Sequence, residues 1–170
     1  MTERIRIEHN FDVSEKGFWD TFLDAEYNRA MFRDSLKFPR WETTTLDVSE
    51  EEVVRVVQVE PYVGELPGPV KRVLGSRISF REEGRLDRAN NSYKLKIVPA
   101  QLADKILISG EQFTEALGEG RCKRVFVAEV KIKIFAIGSI IEKLIAKDMQ
   151  KGYDVGATFT RDYMHKRGIK

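Results

Sequence analysis

The stretch Arg121-Cys122-Lys123-Arg124-Val125-Phe126-Val127-Ala128-Glu129-Val130-Lys131-Ile132-Lys133-Ile134-Phe135, with Ser139-Ile140-Ile141-Glu142 just after it, decides how this chain folds. Cys122, Phe126, Ala128, Val130, Ile132 and Ile134 share one parity, and Arg124 falls among them. Lys123, Glu129, Lys131 and Lys133 share the other. Such alternation reads as a strand with one face on a core and one in water. Ser139 and Glu142 have the spacing of a capping box, in which each side chain satisfies an orphan N–H of the first turn. A helix of more than twenty residues is predicted from there to near Gly168. At about 100° per residue, Ile141, Leu144, Ile145, Asp148, Gly152, Val155, Gly156, Phe159 and Tyr163 fall on one face.

Working back from that strand and helix, residues 4–8 alternate as a first strand. Asp12 or Ser14 can cap a helix carrying Phe18, Trp19, Phe22 and Leu23, and residues 24–36 hold a second helical pattern that Pro39 ends. The period then becomes two. Strands are predicted at Trp41, Thr43 and Thr45, at 53–59, at 77–83 with Ile78, Phe80 and Glu82 in phase, and at 92–98 with Tyr93, Leu95 and Ile97 in phase. A further strand spans 105–117, and Gly118-Glu119-Gly120 turns it into the strand quoted above. Residues 84–91 read as a turn, and 61–75 as a long connection with one short helical turn at 70–74. Turns of hairpin length imply antiparallel pairing. The result is an α+β fold: a curved antiparallel sheet of about six to seven strands wrapped on a long C-terminal helix, with two short helices after strand one. It is expected to form a single domain over 1–170.

Composition narrows the chemistry. The 170 residues are 42% hydrophobic and 33% charged, with 29 lysines and arginines against 27 aspartates and glutamates. That balance argues against a nucleic-acid binder. A single cysteine and two histidines argue against a zinc site and against a cofactor held by such ligands. Cys122 shares the core parity and reads as a small apolar filler. His9 and His165 read as surface residues. No phosphate-binding glycine loop or nucleophile elbow occurs. No run approaches the roughly 18 apolar residues of a membrane helix, and the N-terminus lacks an apolar leader core, so a cytoplasmic location is expected.

Few polar groups can be placed inward. Asp148 lies on the helix face, Arg124 and Glu82 on apolar strand parities, and Gln112 on its own strand. Either they fix the head group of a ligand in an apolar pocket, or Arg124 simply neutralises Asp148 or Glu82. Gly152 and Gly156 each cost the helix roughly 1 kcal/mol relative to alanine. They either leave space for a ligand or pack closely against a bulky strand residue such as Phe126 or Trp41. The 61–75 connection is either a surface insertion stiffened by its prolines or, being long, a lid. Lys123, Arg124, Lys131 and Lys133, with residues 161–170, are either a scattered solvated face or a basic surface for transient contact with an anionic membrane, without insertion.

The chain resembles the START and pollen-allergen-like (polyketide cyclase-type, SRPBCC) helix-grip superfamily, from Ile5 to Tyr163. More narrowly it is similar to a bacterial family of unknown function within it. The residues that carry the resemblance are Phe18-Trp19, Leu66-Pro67-Gly68 and Ile137-Gly138-Ser139-Ile140-Ile141-Glu142. The resemblance implies a hydrophobic cavity between sheet and long helix, and no fixed catalytic residues. The expected function is binding or carrying of a lipid or polyketide-like molecule. The ligand-binding candidates are Phe80, Tyr93, Leu95, Arg124, Phe126, Val130, Asp148, Gly152, Val155 and Phe159. One alternative is a cyclase or dehydratase in which Asp148, Glu82 or Tyr93 transfers protons and Arg124 stabilises an enolate. The other is a protein-interaction module with a filled interior.

Overall fold

The computed structural model describes residues 2–170. Seven strands form one sheet: β1 (Glu3–Phe11), β2 (Arg40–Val48), β3 (Glu52–Glu60), β4 (Phe80–Asp87), β5 (Ser92–Pro99), β6 (Ile106–Ala116) and β7 (Cys122–Ile132). Their order is β1-β7-β6-β5-β4-β3-β2, and every neighbouring pair is antiparallel. The helices are α1 (Glu15–Leu23), α2 (Ala25–Asn28), α3 (Gly68–Leu74) and α4 (Gly138–Arg167), and a π-helical stretch, Arg29–Ser35, follows α2. This is the α+β helix-grip fold that the element order predicts.

Local chemistry sets the helix boundaries. Ser14 accepts from the Gly17 N–H and opens α1, and Asp24 accepts from the Tyr27 N–H and opens α2. Gly168 closes α4 in the left-handed region at φ 62°, where its N–H reaches the Met164 and His165 carbonyls. At about 1.5 Å per residue, the 30 residues of α4 form a rod long enough to cross the sheet.

The parity of β7 holds: Cys122, Arg124, Phe126, Ala128, Val130 and Ile132 are all buried. The register carries that parity across the concave face, so Ile5 and Ile7 of β1, Ile106, Ile108 and Gln112 of β6, and Tyr93 and Leu95 of β5 share it.

Four expectations need correction. The capping box does not form. Ile137 occupies the N-cap without a side-chain bond, and Ser139 lies inside the helix. Glu142 instead turns inward, 1% exposed, and accepts from the Ile132 N–H at 2.9 Å, tying the end of β7 to α4. A buried orphan N–H has the stronger claim on that carboxylate, because leaving it bare costs about 1–3 kcal/mol. Second, the strand ends at Ile132, and Phe135 stands 98% exposed in the connection. Third, 84–87 is strand. Gly84 is a floor glycine covered by the Tyr93 ring rather than a turn residue.

The fourth correction concerns α4. Asp148 and Val155 are exposed, while Met149 and Tyr153 pack on the core and Ala157, Thr160 and Met164 are buried. The buried arc rotates along the helix because its partners change. The helix lies on β1 and β7, and its last turns meet Tyr27 and Met31. A fixed arc drawn from Ile141 misses that rotation.

Gly84 gives a direct check of the floor. A Cβ there would sit 1.8 Å from the Tyr93 hydroxyl oxygen, whereas one on Gly152 would meet nothing within 4 Å. Gly84→Ala is expected to lower stability by about 1–3 kcal/mol. Gly152→Ala should raise it by about 1 kcal/mol through helix propensity. Urea unfolding of both variants measures this, and a neutral Gly84→Ala would contradict the placement of the Tyr93 ring.

Candidate functional site

The concave face on which α4 packs is a floor built of rows that run across the strands. In one row Phe126, Gln112, Tyr93 and Leu86 are cross-strand neighbours. In the next, Ala128, Gly110, Leu95 and Gly84 are neighbours. The two glycines lower the second row, and rings from the first row lean over them. Tyr93 covers Gly84, and Phe126 comes within 3.2 Å of a Cβ built on Gly110. Tyr153 of α4 stacks on Phe126 from above at 4.3 Å between centroids. Phe22 of α1 meets Tyr93 at 5.0 Å.

Into these apolar surroundings project polar groups in two clusters. The first joins three strands. Arg55 of β3 donates to the Tyr93 hydroxyl and to Glu82 Oε1, each at 3.3 Å, and Tyr93 donates to the same Glu82 oxygen at 2.8 Å. The Arg55 guanidinium also lies 4.4 Å from the Phe22 ring centroid. Burial alone would make Arg55 easier to deprotonate, but its partners Tyr93 and Glu82 more than offset that and raise its pKa. Burial and the Glu82 charge push the Tyr93 phenol above its ordinary value.

The second cluster joins β1, β7 and α4. Arg124 contacts His9 Nδ1 at 2.7 Å and the Tyr153 carbonyl at 3.4 Å, and His9 Nε2 contacts Asp154 at 2.8 Å. Arg124 can only donate, so this geometry fits neutral His9 with its proton on Nε2. Burial, then the Arg124 charge, lower the His9 pKa against the pull of Asp154. Burial lowers that of Arg124 as well. Two buried polar atoms have no partner among the described residues: Gln112 Nε2 and Arg124 Nε. Among those residues no three His, Cys, Asp or Glu side chains gather as a metal site would need. Burial, with the Glu15 charge, pushes the Cys122 thiol up to about 11, which leaves it a poor nucleophile.

The structure brings Tyr93, Leu95, Arg124, Phe126 and Val130 together on the floor and sets Phe80 half-buried at its margin. Asp148 and Val155 lie outside, so neither Asp148 nor Glu82 pairs with Arg124. Gly152 and Phe159 flank the buried arc. Gly156 packs closely, but against Met31, whose Cε lies 3.0 Å from a Cβ built there, rather than against a strand residue. Arg124 is 4% exposed and does not belong to the basic surface. The 61–75 connection is docked on the core through Val70, Leu66 and Leu74.

Arg55 and Tyr153 escape the sequence reading, and His9, expected at the surface, is instead largely buried between Arg124 and Asp154. Valines on both parities of β3 hide which way Arg55 points. His9 shares the parity of Ile5 and Ile7, and that was the available signal for it. Tyr153 follows only from the rotated helix face. Two shallow recesses also lie on the outer side of the sheet, near Lys96, Ser109 and Lys131 and near Arg6, Lys94 and Glu129.

A family model described as a protein of unknown function (DUF2505) matches residues 6–164. The chain belongs to that family. This DUF2505 member has the START and pollen-allergen-like fold, as solved structures show. The Zhui aromatase/cyclase from Streptomyces sp. R1128 superposes with TM-score 0.69 at 12% identity, covering 98% of this chain and 96% of that one. Norcoclaurine synthase from Thalictrum flavum, in complex with a transition-state analogue, gives 0.67 at 16% identity with 96% of each chain covered. A major latex-like protein from Panax ginseng gives 0.64 at 10% identity, covering 96% and 97%. A search of curated proteins returns no significant sequence match. No helix among the described residues is long and apolar enough to cross a membrane.

The His9 bridge predicts a pH dependence. With its folded pKa below the ordinary value, His9 disfavours the fold as pH falls, because protonation is easier in the unfolded chain. The contribution is fully present above about pH 6.5 and is lost toward the lower folded value. The urea midpoint should therefore drop between pH 7.5 and pH 5, and His9→Asn should flatten the drop. An unchanged slope in that variant would contradict the bridge.

Proposed function

We propose that the protein binds and carries a hydrophobic small molecule between the concave face of the sheet and α4. The observation that supports this reading best is the mixture on that face. Leu95, Phe126, Val130 and Tyr153 surround a few convergent polar groups, and the buried Gln112 amide has no protein partner for its nitrogen. Small-molecule sites are usually built this way, from an apolar lining with few polar anchors. The structural neighbours support it at the level of fold only, since fold alone does not set function. On this reading the ligand is lipid-like or polyketide-like and the chain forms one START-like domain. The reading includes a cytoplasmic location, supported by the single buried, unpaired Cys122; recovery outside the cytoplasm on cell fractionation would count against that part.

The neutral dye N-phenyl-1-naphthylamine tests the reading without help from charge. It should bind with enhanced fluorescence at one saturable site. Leu95→Trp, which fills the lowered floor row, should weaken binding at least tenfold while the far-ultraviolet spectrum stays unchanged. A dye that does not bind, or binds Leu95→Trp equally well, would overturn the proposal.

One observation favours a second reading, an enzyme of the cyclase type. Glu82 takes the Tyr93 proton donor on one oxygen and leaves Oε2 without a hydrogen bond, beside the Arg55 guanidinium. A carboxylate so placed could remove a proton α to a carbonyl while Arg55 steadies the enolate oxygen. The protein should then speed deuterium exchange at the central carbon of benzoylacetone, and Glu82→Gln should abolish the gain. Exchange at the buffer rate removes this reading and leaves the carrier standing.

A further inference from the structure

One of the two buried arginines has no acid in contact with it. Arg55 and Arg124 both project from the concave floor and are 5% and 4% exposed. Glu82 is engaged by Arg55 and Tyr93. The other acids nearby are also occupied. Glu142 holds the Ile132 N–H, Glu15 accepts from Thr114 and Asn91, and Asp154 reaches His9 rather than Arg124. Arg124 makes no ion pair among the described residues. Its contacts are neutral His9, the Tyr153 carbonyl and the faces of Phe11 and Tyr153. A buried cation without an anion is costly, far more so than one that is paired and fully hydrogen-bonded.

Two buried nitrogens lack acceptors, and both belong to this region. Arg124 Nε and Gln112 Nε2 are donors on adjacent strands of the same face. In the register Arg124 faces Thr114 and Gln112 faces Phe126, so the two side chains are diagonal neighbours. The stacked pair of Phe126 and Tyr153 stands beside both. The site thus offers one unneutralised positive charge, two free donors and flat apolar walls.

We infer that the ligand is an apolar acid whose carboxylate is bound by Arg124 and Gln112, an inference that rests on the binding site proposed above and adds the chemistry of its head group. A carboxylate supplies the missing anion. Its two oxygens match the two free donors, and the guanidinium is the side chain best suited to a planar anion. An alcohol or a neutral ester offers an acceptor but leaves the Arg124 charge bare.

Displacement of bound N-phenyl-1-naphthylamine by dodecanoate, methyl dodecanoate and 1-dodecanol, each below its aggregation limit at pH 7.5, tests this. Dodecanoate should displace the dye at a concentration at least tenfold lower than either neutral analogue. Arg124→Met should remove that preference, and Gln112→Leu should reduce it several-fold. Equal displacement by acid, ester and alcohol would overturn the inference and leave the proposed binding function intact. A preference that survives both substitutions would place the carboxylate elsewhere and overturn it too. If the dye itself fails to bind, both proposals fall. Should Arg124→Met not fold, the wild-type comparison and Gln112→Leu still decide.

Discussion

A single helix cannot cover a seven-stranded sheet. Helix α4 lies on β1 and β7, at one edge of the β1-β7-β6-β5-β4-β3-β2 order. The apolar faces of the remaining strands must be covered by other means, since an exposed sheet face is not stable in water. The chain answers with large side chains reaching inward from the margins. Phe22 and Trp19 of α1 cover the middle strands, Val70 of α3 is buried, and Tyr153 bridges from α4 to Phe126. Everything proposed about function depends on this arrangement, because it gathers aromatic side chains over the concave face beside α4.

Polar groups fill the positions that rings cannot. Arg55 is held by cross-strand partners at Tyr93 and Glu82 and by the Phe22 ring, so one guanidinium fastens β3, β4, β5 and α1 together. His9 and Arg124 do the same for β1, β7 and α4. Such networks stabilise when every member is satisfied and are costly when one is not. In the Arg55 cluster every buried donor has a partner. The Arg124 cluster is one acceptor short, and that asymmetry separates a purely structural network from one completed by something bound.

The sequence carried the frame well and the interior poorly. The alternation from Cys122 to Ile132, the first helix cap, which falls on Ser14 of the two candidates Asp12 and Ser14, and the stop near Gly168 are local signals, and each survives folding. Tyr93, Leu95, Phe126 and Val130 were legible because their strands alternate cleanly. Arg55 was not, since β3 has valine on both faces. Asp148 and Val155 were misplaced because α4 changes partners along its length, which rotates the buried arc. Gly84 read as a turn residue because glycine under a ring and glycine in a turn look alike without the opposing Tyr93. Those misses all concern tertiary packing, and they fall where the candidate site lies.

Methyl-resolved NMR of the labelled protein during titration with N-phenyl-1-naphthylamine tests the central claim, that the concave face is the binding face. Val53, Leu86 and Val130 lie on that face, while Val98, Leu107 and Val127 lie on the outer one beside the surface recesses. The account predicts saturable shifts confined to the first three and their neighbours. Shifts centred on Val98, Leu107 and Val127 would contradict it.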